Sequence, residues 1–128
     1  MRARCALAAA ETTGDDALLR AAERGARAMV RERMPYSTAQ GRLLRAGIAS
    51  ARDNRDHAVP LLREAIIGFD AADMALYSAA SRRCLGRVLG GDEGRALVRA
   101  ADEWMTSETV KNPEKMTAML APGFAKLA

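Results

Sequence analysis

The chain is 128 residues long, 49% hydrophobic but only 4% aromatic, and carries 20 Lys and Arg against 16 Asp and Glu for a formal charge of +4. That length fits a single domain, and no stretch approaches the roughly 20 apolar residues of a membrane-spanning helix, which predicts a water-soluble, cytoplasmic protein. Alanine and other helix formers outweigh β-branched and aromatic residues, so the chain reads as all-α, and the spread of its basic excess argues against a nucleic-acid partner.

The opening residues Met1 to Ala10 pair a basic start with a short, alanine-rich apolar run and read as a helix over 2–11, not as a signal peptide. Its lack of an earlier companion suggests the second half of a hairpin. A helix over 15–34 follows, with Leu18, Ala22, Ala26, Met29 and Val30 at helical spacing and Asp15 and Asp16 at its start. Its other face presents Arg20, Arg24, Arg27 and Arg31. Two of these have acidic partners four residues upstream, Asp16 and Glu23, so a solvated face is the simpler reading and a partner-binding stripe the sharper one.

Met34-Pro35 is expected to stop that helix. The next, over 36–53, places Tyr36, Leu43, Gly47 and Ser50 on one face. Asp53 to Asp56 supply a turn and cap for a helix over 55–69, with Ala58, Leu61, Leu62, Ala65, Ile66 and Phe69 inward and Pro60 near its first turn. A turn at Gly68-Phe69-Asp70 leads to a helix over 72–89 that buries Leu76, Tyr77, Ala80, Cys84, Leu85 and Val88. Gly90-Gly91 ends it, Asp92 is the expected cap of a helix over 93–108, and Leu97, Ala100, Ala101, Trp104 and Met105 form its inner side. Asn112-Pro113-Glu114 then reads as the start of a short helix over 113–121, in which Met116, Met119 and Leu120 would seal the core.

Catalytic and metal chemistry finds little support. His57 is the only histidine, which removes any two-histidine metal site, and beside Asp56 it reads as a surface turn residue. Cys5 and Cys84 match no ligand spacing and read as buried, reduced thiols. Gly90-Gly91-Asp92-Glu93-Gly94 has the letters of a diguanylate cyclase turn but lies between helices, where a helix boundary explains it. Gly86 to Gly91 lacks the Lys-Ser/Thr ending and preceding strand of a phosphate loop. Asp102 and Glu103 diverge by about 100° on a helix, so they cannot share one substrate as an acid and base. Trp104, the sole tryptophan, is either core packing or a binding anchor. No cofactor is expected.

The turn signals Gly14-Asp15, Asn54-Arg55 and Gly91-Asp92 recur at roughly 40 and 37 residues, within the range of solenoid arrays. Gly47 and Gly86 fall at similar places in successive first helices, and Ala58 and Ala65 stand seven apart in a second one. The pattern resembles a tetratricopeptide-type stack of antiparallel helical hairpins over 1–128, with about seven helices. It is longer than the usual repeat of about 34 residues and lacks the first-helix tryptophan and tyrosine.

The segments Phe69 to Met74, Arg82 to Gly86, Gly90 to Leu97, Trp104-Met105, Asn112-Pro113 and Met119 to Phe124 also resemble the extreme C-terminus of large bacterial serine/threonine protein kinases of the myxobacterial kind. That likeness implies a docking or regulatory tail that meets a kinase or ATPase module. The chain carries none of the kinase nucleotide loop, catalytic loop or metal-binding motifs. The sequence therefore predicts a non-catalytic scaffold for a protein partner, with Arg20, Arg24, Arg27, Arg31 and Trp104 as its candidate contacts and a basic nucleic-acid module as the alternative.

Overall fold

The computed structural model describes residues 2–31 and 35–125. Within them the chain forms seven helices and no strand: α1 (Arg2–Thr13), α2 (Asp16–Arg31), α3 (Pro35–Ala51), α4 (Arg55–Ala71), α5 (Ala75–Leu89), α6 (Gly91–Ser107) and α7 (Pro113–Leu120). Each helix from α1 to α6 packs on its sequence neighbour, and α7 packs on α5 and α6. Short connections between contacting helices make the neighbours antiparallel, so the chain folds as three hairpins followed by a half. Helix α1 packs on α2 and also touches α3.

Local chemistry sets the boundaries. Asp15 accepts a hydrogen bond from the Ala17 N–H at 2.9 Å and Asn54 one from the His57 N–H at 3.3 Å, each satisfying a donor that the first helical turn leaves free. Asn112 does the same for Lys115 at 3.0 Å, with Pro113 in the first turn of α7 as expected. Helices α3, α4 and α6 end alike. The N–H of Asn54, Met74 or Val110 reaches back to the carbonyl of Ala49, Phe69 or Met105 at 2.8 to 2.9 Å, while Asp53, Asp73 or Thr109 takes a positive φ. This is the left-handed termination usually left to glycine.

Four sequence expectations are corrected here. Gly68, Phe69 and Asp70 lie inside α4, and the turn falls at residues 72–74, because the left-handed Asp73 ends the helix there while Gly68 only weakens it. Gly90, with φ of 65°, caps both α5 and α6, so Asp92 sits in the first turn of α6 and is not its cap. Tyr36, Ala100 and Met119, read as inward, are exposed. Cys5 is exposed too, and only Cys84 is buried. The expected stop at Met34 falls outside the described residues, and Pro35 opens α3.

Three clusters make up the core. Ala3, Leu7, Ala22, Ala26, Leu44 and Ile48 join α1, α2 and α3. Leu43, Leu62, Ala65, Phe69, Cys84 and Leu85 are central to a second, between α3, α4 and α5, where the Phe69 and Tyr77 rings stack with centroids 5.1 Å apart. Ala79, Ala80, Met105 and Leu120 join α5, α6 and α7, with Trp104 and Met116 packed at the edge. So small a complement of aromatics makes Leu62, with no exposed surface, central to stability. Leu62→Ala should lower the unfolding free energy by about 2 to 5 kcal/mol in urea titrations followed by circular dichroism.

Candidate functional site

The main irregularity of the stack lies after its last helix. Ala121, Pro122, Gly123 and Phe124 are all buried, although they belong to a turn at the end of the chain. Phe124 joins the cluster of α3, α4 and α5 residues, and the Pro122 carbonyl and Gly123 lie against Gly47 of α3, beside Leu7 of α1. The turn therefore occupies a cleft between α1, α3 and α5. Two glycines make this approach feasible: a Cβ on Gly47 would collide with the Pro122 carbonyl, and one on Gly123 would collide with the Gly47 backbone. Gly123 also holds a φ of 111°, which side chains other than hydrogen strongly disfavour.

Glu11 of α1 fixes the turn. Its carboxylate accepts the Gly123 N–H at 2.5 Å and the Ala125 N–H at 2.8 Å, across sequence separations of 112 and 114 residues. Two backbone donors converging on one anion form a small nest, and bonds to a charged acceptor are stronger than neutral ones. Two turns earlier on α1, Arg4 donates to the Tyr77 hydroxyl at 3.0 Å, bridging α1 to α5. Arg4, Met29, Gln40, Leu43, Tyr77 and Leu120 line a cavity of about 160 Å³ there. Two buried hydroxyls have no hydrogen-bond partner among the described residues: Ser50, three residues after Gly47 on α3, and Thr117 on the buried side of α7.

Cys84 lies in the wall of this region. Burial pushes its thiol up to about 12, and the nearby Glu11 charge adds to the rise, against the opposing pull of Arg87 and Arg83. A thiol held in its neutral form is a packing group and a poor nucleophile.

The residues singled out in the sequence lie elsewhere. Arg20 pairs with Asp16 at 2.7 Å and Arg27 with Glu23 at 3.1 Å, and Glu23 also meets Arg52 of α3 at 3.4 Å. Arg24 is exposed, and the side chain of Arg31 falls outside the described residues. Arg20 and Arg27 of this stripe are thus engaged with acids of their own helix. Trp104 is half-buried at the rim of a groove between α5 and α6, near Ala79, Arg82 and Leu97, and does not meet the arginines of α2 in one cluster. Asp102 accepts from Arg83 at 2.8 Å, while His57 is exposed in the first turn of α4. A shallow trough of about 950 Å³ follows α6, where Arg87, Arg95 and Arg99 mix with Asp102 and Glu103.

Sequence reasoning missed Glu11, and it read Pro122-Gly123 only as the end of the last helix and Phe124 only as part of a family likeness. Glu11 is the only acidic residue among the first fourteen, and Phe124 is one of two phenylalanines in the chain, which were the available signals. Among the described residues no helix is long and apolar enough to cross a membrane, and no group of three or more His, Cys, Asp or Glu is placed to hold a metal ion. Comparison with protein-family models, curated proteins and solved structures returns no match.

Glu11→Ala should lower stability by about 2 kcal/mol, since it strands two backbone donors, and thermal melts will show the shift. At pH 8 a thiol reagent should label Cys5 quickly and Cys84 only after denaturant is added. Because the folded state keeps the Cys84 proton while the unfolded thiol loses its proton near 9, the contribution of this thiol to stability is full below pH 9. It should fall as the pH rises from 9 towards 12, and comparing alkaline denaturation of the chain with that of Cys84→Ala checks this.

Proposed function

We propose that the chain is a non-catalytic interaction module that works in the cytoplasm, a helical-hairpin scaffold whose cleft between α1, α3 and α5 receives a segment of a protein partner. The observation that carries this reading is the cleft's present content. It accommodates a peptide turn through backbone hydrogen bonds to Glu11, a glycine-floored approach at Gly47 and an apolar seat for an aromatic side chain. Those are general devices for holding polypeptide. Stacked hairpins suit the task because each buries only part of its apolar face and leaves a continuous surface along the array.

The resemblance of the last third to kinase tails makes a serine/threonine kinase or ATPase module the partner to test. The nucleic-acid alternative is weakened by the ion pairs of Arg20 and Arg27, which already neutralise half of the proposed basic stripe. Hydrogen exchange of the chain mixed with purified modules of that type decides the matter. Amides of α1, α3 and α5 should slow at least fivefold on mixing. Unchanged exchange throughout the chain, with turnover of a small substrate by the chain alone, would sink the reading.

A further inference from the structure

We infer that the cavity bordered by α1, α2, α3, α5 and α7 is a binding site for a small monocarboxylate with an apolar body, a molecule the size of benzoate or hexanoate. The inference goes beyond the interaction-module reading and does not depend on it, because it concerns a small molecule and residues other than Glu11 and the final turn.

Three polar side chains line the cavity, and each has a donor to spare. Arg4 brings the charge. Among the described residues its guanidinium donates to the neutral Tyr77 hydroxyl at 3.0 Å and pairs with no carboxylate. The hydroxyl accepts that bond, so its own proton is available for another acceptor. Gln40 adds its amide N–H groups, which no acceptor takes up among the described residues. No Asp or Glu is among the described residues that line the space. A half-buried cation without a counter-ion favours an anion, and donors from three side chains suit one with two acceptor oxygens. The other hollows differ: the trough along α6 contains Asp102 and Glu103, and the groove beside Trp104 contains Asp70. Carboxylates in those places would repel the same ligand.

The rest of the lining defines the body of the ligand. Leu43, Leu44 and Leu120 are buried, whereas Arg4, Met29, Gln40 and Tyr77 are half-buried, so the leucines form the floor and the polar groups stand nearer to solvent. A carboxylate at the mouth meets the donors while an apolar body lies on the leucines. The cavity of about 160 Å³ sets the size, since an apolar space of about 150 Å³ accepts benzene. Stacking on Phe69, with centroids 5.1 Å apart, holds the Tyr77 ring, so its hydroxyl is in place before the ligand arrives.

The test titrates benzoate and hexanoate into the full-length chain, isotope-labelled at its leucine and methionine methyl groups. Methyl NMR should show saturating shifts at Met29, Leu43, Leu44 and Leu120. Acetate has the charge without the body and benzyl alcohol the body without the charge, and each should bind about tenfold more weakly than benzoate or worse. Arg4→Met keeps an unbranched side chain and removes the charge. It should weaken benzoate about tenfold while leaving benzyl alcohol within about twofold. Saturating benzoate should also raise the melting temperature of the unaltered chain. Shifts confined to methyl groups away from the cavity overturn the inference, and so does undiminished benzoate binding by a folded Arg4→Met chain. Should that variant fail to fold, the unaltered chain decides: preference for benzoate over benzyl alcohol at the cavity methyl groups supports the site, and equal binding of the two overturns it.

Discussion

The structure depends on backbones coming close together. With few aromatic rings to fill space, the core has to be closed by bringing main chains near one another, and glycine and alanine are the residues that allow it. Gly25 of α2 lies against Ala3 of α1, Gly86 of α5 against Gly94 of α6, and Gly47 of α3 against Pro122 and Gly123. The first two contacts join helices within a hairpin. The third uses the same device for a different purpose, since it seats an irregular turn where a solenoid would place another helix. Spacing along the chain is thus set by side-chain volume as much as by hydrophobic pattern.

Much of this architecture is written locally. Asn54 and Asn112 mark helix starts with side chains that cap, and the Gly90-Gly91 pair allows α5 to end and α6 to begin around one residue. Ala58 and Ala65 are fully buried on α4, as their spacing implies. The boundary between α4 and α5 was harder to read. Gly68 resembles a breaker, but a glycine inside a packed helix costs only about 1 kcal/mol, and the actual stop is an aspartate in the left-handed region. Exposure was similarly misjudged for Tyr36 and Met119, because periodicity identifies a stripe and cannot say where the neighbouring helix stops covering it.

The cleft was illegible for a different reason. Its defining contact joins residues 11 and 123, and nothing in a window of helical turns reports on a partner more than a hundred positions away. Arg20, Arg27 and Trp104 attracted attention because their residue types often occur at interfaces, yet their surroundings are intramolecular acids and a packed helix pair. Glu11 carries no motif. Its importance comes from being a single acceptor in an apolar stretch, set opposite backbone donors that must find one when they are buried.

The bond between Glu11 and the final turn also alters how such an array comes into being. Most contacts here join helices adjacent in sequence, so the early hairpins can assemble while later ones are still being made. The first helix adds a contact of a different range: beyond its packing on α2 and α3, its Glu11 meets the turn at residues 123 and 125. During synthesis Glu11 therefore waits for its two backbone donors until residues 123 to 125 have been made. The clasp joins segments made more than a hundred residues apart, so α1 and α3 meet before the turn that covers their junction exists.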